Sequence, residues 1–226
     1  MSITTIVGPM FSGKTTELIR LIDRQRIAGK KCLIIKHSMD DRFDDVVSTT
    51  NKGTGIYHVT THSEICYYKC DIKYLSDVND IRVFNFIKEK YDVVGVEEGF
   101  FFKGIHNFCN MLADNGIVVI ISTLDTSFKQ EIFPEIGDLM GSSEKLIKLT
   151  AVCMRCRSNE KRDASFTIRT IDSDEAILVG GSDIYQSVCR ECLNEFIKNK
   201  TKEKQIESNK SELCQIDETQ NYLCDI

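Results

Sequence analysis

Two textures alternate along the first 150 residues. Short β-branched or aliphatic runs at Thr4–Val7, Cys32–Ile35, Val93–Val96 and Ile117–Ser122 have the size and composition of strands buried on both faces. Between them, apolar residues recur at helical spacing. Residues 15–27 set Leu18, Ile19, Leu21 and Ile22 on one side, and Gly29 follows as a stop. Residues 80–90 repeat the pattern through Ile81, Phe84 and Ile87, and 104–115 reads as another helix. Residues 146–149 form a weaker strand candidate, and the polar, Tyr-rich stretch 38–76 has no usable period. This alternation predicts an α/β domain over residues 1–150, a parallel sheet with helices on both faces.

After Thr150 the pattern changes. Residues 153–192 lack helical periodicity and are framed by cysteine pairs, which predicts a small second unit over 151–195. Residues 196–226 are polar and poor in apolar side chains, and read as a disordered tail.

Composition narrows the classes. The chain has 226 residues, 42% hydrophobic and 28% charged, which suits a globular protein. A net charge of −5 and a pI near 5.5 argue against nucleic acid as the main partner. No apolar run approaches the roughly 18 residues of a membrane span, so no membrane partner is expected. The N-terminus, MSITTIVGPMFSGK, has neither the basic nor the apolar region of a secretory signal. The expected location is cytoplasmic. Ten cysteines there stay reduced and point to metal binding or core packing.

Residues 8–15, G-P-M-F-S-G-K-T, fit the phosphate-loop pattern. Gly8 and Gly13 let backbone N–H groups turn onto phosphate oxygens, Lys14 supplies charge, and the Thr15 hydroxyl suits Mg²⁺. The motif follows a strand and opens a helix, whose N-terminus favours an anion. The expected fold is therefore a RecA-like P-loop NTPase sheet with a small zinc-ribbon unit attached. Val93–Val96 ends in Glu97 and Glu98, where ligands bind in open α/β sheets. One carboxylate there can assist Mg²⁺, and the other can act as a general base. The bland alternative is a solvated pair, which the neighbouring Phe100, Phe101 and Phe102 weaken by suggesting an apolar pocket.

Cys153-x-x-Cys156 and Cys189-x-x-Cys192 form a four-thiolate set suited to structural Zn²⁺. A redox C-x-x-C is the rival reading, but it calls for one pair beside a βαβ unit. Cys32 and Cys109 fall in predicted core elements and read as packing residues, while Cys66 and Cys70 carry no assignment.

The extended string G-P-M-F-S-G-K-T-T-E-L resembles the opening of the cytosolic type II thymidine kinases. The resemblance continues through I-I-K-H-S-M-D-D-R-F at 34–43, V-E-E-G-F-F-F at 96–102 and S-T-L-D-T-S-F at 122–128. It ends with L-T-A-V-C-M-R-C at 149–156 and V-G-G-S-D-I-Y-Q-S-V-C-R-E-C at 179–192. It implies ATP-dependent phosphorylation of the thymidine 5′-hydroxyl, with Mg²⁺ and a structural Zn²⁺. Carried over by position, Glu98 is the catalytic base. Gly8, Pro9, Met10, Phe11, Ser12, Gly13, Lys14 and Thr15 hold the triphosphate, with Asp40, Asp41, Arg42 and Glu97 around the phosphates and Mg²⁺. Phe101, Leu124, Phe128, Phe133, Thr167, Ala176, Gly180 and Tyr185 surround the nucleoside, the last four on a lasso loop. Cys153, Cys156, Cys189 and Cys192 anchor that loop through zinc. The resemblance also implies a homotetramer and feedback inhibition by thymidine triphosphate. The chain departs from the family pattern at Glu97, where Asp is usual, at Phe100, where Gln is usual, and at Ala176, where a larger aliphatic residue is common. The competing classes are an ATPase whose zinc ribbon docks on nucleic acid, and a non-enzymatic zinc module with a degenerate nucleotide site.

Overall fold

β1 (Ile3–Val7) leads through the glycine loop into α1 (Lys14–Ile27), and β2 (Cys32–His37) follows. These elements come from a computed structural model, which describes residues 1–39, 57–60, 65–68, 70–156, 162–173, 178, 180–202 and 205–206. An antiparallel hairpin of β3 (Tyr57–Thr60) and β4 (Ile65–Tyr68) precedes β5 (Asp71–Leu75). Then come α2 (Ile81–Lys90), β6 (Val93–Val96), α3 (Ile105–Asp114), β7 (Val118–Thr123), α4 (Pro134–Ser142) and β8 (Lys145–Lys148). Among the described residues, six strands form one sheet in the order β5-β2-β6-β7-β1-β8, and every pairing in it is parallel.

Successive strand side chains point to opposite faces, so a parallel sheet needs cover on both. Val7, Ile35, Val96 and Ile121 pack on one face against Phe84 and Ile87 of α2, Phe108 and Leu112 of α3, and Leu139 of α4. Ile6, Ile34, Val93 and Ile120 face the other way, onto Leu18, Ile19 and Ile22 of α1. Gly95 lets α1 come close, because a Cβ there would lie 3.0 Å from Ile22 Cδ1. Asp80 caps α2 by accepting from the Arg82 backbone N–H at 2.8 Å, and Pro134 opens α4, where no helical donor is lost.

The remaining strands are short and antiparallel: β9 (Ala151–Val152) with β10 (Asp163–Ala164), and β11 (Phe166–Arg169) with β12 (Tyr185–Val188). A helix over residues 190–202, α5, follows. It corrects the reading of 196–226 as a disordered tail from its first residue. Leu193 is buried and Phe196 packs beside it on a small core of Ala151, Ala164, Ile168 and Val188. Their i, i+3 spacing gives the helix an apolar edge, which the surrounding charges obscure in the sequence. Residues 207–226 lie outside the described residues. No described helix is long and apolar enough to cross a membrane.

Candidate active site

The glycine loop begins where β1 stops. At Gly8 a Cβ would sit 2.5 Å from the Leu149 carbonyl oxygen, so no side chain fits. Phe11 (φ 64) and Gly13 (φ 79) then turn the backbone left-handed. The Ser12 hydroxyl and the Lys14 ammonium both donate to the Pro9 carbonyl, at 2.8 and 2.7 Å, which draws the loop into a ring. Lys14 is only 8% exposed, and Thr15 follows it in the first turn of α1. Among the described residues no side chain caps α1 at Gly13, and a helix N-terminus favours an anion.

The acidic pair follows β6 at the same edge of the sheet. Glu97 is 4% exposed, and its Oε2 lies 3.2 Å from Lys36 Nζ. The register pairing Ile35 with Val96 sets these two next residues side by side. Glu97 is therefore an interior, ion-paired carboxylate and no solvated strand end; burial without a partner would be prohibitive. Glu98 has left-handed backbone (φ 50, ψ 52) and starts a 3₁₀ turn over Gly99–Phe101. Gly99 presses that turn onto β7, where a Cβ would meet Ile121 Cδ1 at 2.5 Å. A non-glycine residue keeps such a conformation only where its surroundings impose it. Here the outcome is that Glu98 lines a pocket.

That pocket gathers the predicted nucleoside residues. Phe101, Leu124, Phe128, Phe133, Thr167, Gly180 and Tyr185 all line it, together with Glu98 and Met10. Phe100, Thr126, Ser127 and Leu178 complete the lining. Thr126 and Ser127 stand inside the S-T-L-D-T-S-F motif, whereas no sequence signal marks Leu178. Phe100 stacks on Phe133 at 5.2 Å between ring centroids and tilts against Phe101 at 4.2 Å. Phe100 thus builds an apolar wall of the pocket. Phe102 turns away into the core. Tyr185 Oη donates to the Leu178 carbonyl at 2.9 Å, and Thr167 Oγ1 accepts from the buried Met10 N–H at 3.0 Å. The second bond ties the β11–β12 hairpin to the glycine loop. Asp125, next to the pocket residue Leu124, is buried and paired with Lys148 at 2.9 Å. Asp40, Asp41, Arg42 and Ala176 lie outside the described residues.

The four predicted cysteines converge, with all their sulfurs within 4.8 Å of one another. Cys156 Sγ is 3.8 Å from Cys189 Sγ and 3.9 Å from Cys192 Sγ. A tetrahedral zinc with Zn–S bonds near 2.3 Å needs S···S edges of about 3.8 Å, so the donor set fits. Burial opposes charge on Cys153, but N–H donors from Cys189, Arg155 and Cys156 outweigh it and bring the thiol down to about 6. Burial and the neighbouring sulfurs push Cys156 and Cys192 up. Four thiolates at this spacing need a cation among them. Cys32, Cys70 and Cys109 are buried thiols elsewhere.

The thymidine kinase family model matches residues 1–193. The chain belongs to the thymidine kinase family. The thymidine kinase of Acanthamoeba polyphaga mimivirus is 60% identical over 86% of this chain and 82% of its own length. Thymidine kinase 1 of Dictyostelium discoideum is 42% identical over 85% of this chain and 77% of its own. The thymidine kinase of monkeypox virus is 40% identical over 84% and 95%. Among solved structures, the flagellar accessory protein FlaH of Methanocaldococcus jannaschii overlays 72% of this chain and 76% of its own, with a TM-score of 0.45 and 12% identity. The family match spans the sheet and the short hairpins after it, so the glycine loop, the apolar pocket and the four-cysteine cluster all lie within it.

Proposed function

We infer that this chain is an ATP-dependent thymidine kinase that transfers the γ-phosphoryl group of ATP to the 5′-hydroxyl of thymidine. One observation carries the reading: a largely apolar pocket takes Met10 from the glycine loop and Glu98 from the strand-end acidic pair into a single lining. A nucleoside bound there has its acceptor hydroxyl between a phosphate cradle and a carboxylate.

Backbone N–H groups of Gly8 to Thr15 and the N-terminus of α1 receive the triphosphate, and Lys14 adds its charge from inside the ring. The Thr15 hydroxyl and the Glu97 carboxylate, steadied by Lys36, are the groups that would hold Mg²⁺; the family resemblance adds Asp40, Asp41 and Arg42 to the phosphate-binding set. Mg²⁺, when bound, neutralises charge on the β- and γ-oxygens. Glu98 accepts the proton of the 5′-hydroxyl as that oxygen bonds to the γ-phosphorus, and the bond to ADP breaks. Phe101, Leu124, Phe128, Phe133, Thr167, Gly180 and Tyr185 enclose the nucleoside and exclude water, and the family resemblance adds Ala176 to the nucleoside-binding set. Cys153, Cys156, Cys189 and Cys192 would hold a structural zinc, since four thiolates leave no open coordination position. A homotetramer, feedback inhibition by thymidine triphosphate and a cytoplasmic location complete the proposal and rest on family membership. Glu98→Gln tests it: transfer to thymidine should collapse while nucleotide binding persists, and near-normal turnover would refute the base assignment.

A further inference from the structure

The wall loop over residues 124–133 depends on more than its own turn. Thr126 bridges to Ile132, and the Ser127 N–H donates to the Glu131 carbonyl at 2.8 Å. Gln130 sits in this turn with φ 68, a left-handed conformation rare for a residue with a side chain. Its amide nitrogen donates to the Phe128 carbonyl at 3.1 Å and, across 37 residues of chain, to the Thr167 carbonyl of β11 at 3.3 Å. Two carbonyl acceptors decide which end of the amide faces them. The amide oxygen is then buried with no partner among the described residues. Left-handed backbone, an unsatisfied oxygen and an immobilised long side chain all cost free energy, and such costs persist where they hold functional geometry.

Arg169 holds Phe128 by its ring. It is buried, its guanidinium carbon lies 3.8 Å from the centroid of the Phe128 ring, and it donates to the Ser173 carbonyl. Phe128 is thus gripped twice, at its carbonyl by Gln130 and at its ring by Arg169. Neither gripping residue lines the pocket.

We propose that Gln130 and Arg169 are positioning residues for thymidine: they clamp the Phe128 wall to the β11–β12 hairpin, so that the base pocket closes only when the hairpin is docked. The proposal rests on the thymidine kinase reading for its substrate, and on geometry alone for the clamp. Thymidine affinity becomes separable from phosphoryl transfer, because Gln130 and Arg169 act through Phe128 and β11 and do not themselves line the pocket that holds Glu98.

Three variants of the full chain test this. Gln130→Glu keeps the length but turns an acceptor oxygen toward two carbonyls. Gln130→Gly suits the left-handed backbone and removes only the clamp. Arg169→Met keeps an apolar stem over Phe128 without the cation. The expected result is a thymidine KM raised about tenfold in each, the size of one lost hydrogen bond or cation–ring contact, with kcat and the ATP KM within about twofold. Hydrogen exchange of the unliganded protein should quicken in residues 124–133 and β11 but not in β6. A Gln130→Gly protein with unchanged thymidine KM and unchanged exchange would overturn the clamp, as would variants whose two KM values rise together. Failure of the unsubstituted chain to phosphorylate thymidine would refute the kinase reading instead, and the exchange experiment would still decide the clamp.

Discussion

Thr167→Val isolates the bond between hairpin and glycine loop. Valine nearly matches threonine in volume, so the change removes the acceptor and leaves little void. Met10 is 8% exposed and Thr167 is 5% exposed, so water does not reach the stranded Met10 N–H. A buried donor without an acceptor costs about 1–3 kcal/mol, or roughly 5- to 150-fold in the equilibrium between docked and undocked hairpin. For a chain of this size, each kcal/mol moves the melting midpoint by about 2–4 °C, so the expected fall is about 2–12 °C. Calorimetry on wild type, Thr167→Val and Thr167→Ser reads this directly. Serine keeps the oxygen and should recover most of the loss. The thymidine KM of the valine protein should rise alongside, because Thr167 lines the pocket and carries the carbonyl that Gln130 engages. A valine variant that melts within a degree of wild type, with an unchanged thymidine KM, would show that this bond does not hold the hairpin.

Glu98→Gln should lower kcat by about 10²–10⁴, the usual worth of a general base, with nucleotide affinity by calorimetric titration nearly unchanged. Gly8→Ala should abolish ATP-analogue binding, because its Cβ would lie 2.5 Å from a backbone oxygen that cannot step aside. Stripping metal with a strong chelator should release one zinc per chain, measured by atomic absorption, and raise the thymidine KM before nucleotide binding suffers; full activity with no zinc released would contradict the structural role. Burial raises Cys32 to about 11 and Cys70 to about 12. At pH 7 a thiol of pKa near 11 is thiolate in only about one molecule in ten thousand. Iodoacetamide followed by peptide mass mapping should therefore leave both unmodified in the native protein, and rapid labelling of either would contradict their burial.

The parallel sheet is readable because its inner strands are buried on both faces. β1, β2, β6 and β7 are short runs dominated by β-branched and aliphatic residues, and α1, α2 and α3 match the helical spacing to within a residue or two. The edge strand β5 is hidden because its residues are exposed or half-buried and form no aliphatic run. α4 carries its signals, Pro134 at the start and Ile136, Leu139 and Met140 at helical spacing, but Gly137 and Gly141 dilute them. β9 to β12 are two to four residues long and fold around a small core beside the thiolate cluster, so periodicity has little to work on. At the site, local motifs mark the residues that meet phosphate or metal, because that chemistry needs particular side chains at fixed spacing. Long-range partners stay hidden. Nothing near Glu97 in the sequence names Lys36, nothing near Thr167 names Met10, and the reach of Gln130 to β11 exists only once the hairpin folds back.

The central claim is that one pocket joins a phosphate cradle, a carboxylate and a nucleoside site. Transfer of label from γ-labelled ATP, with Mg²⁺, to thymidine, deoxycytidine or no acceptor tests it most directly. The account predicts label in thymidine monophosphate, little in the deoxycytidine product and little released as phosphate. Label released as phosphate at the same rate with and without thymidine would contradict it, because the cradle would then be serving water.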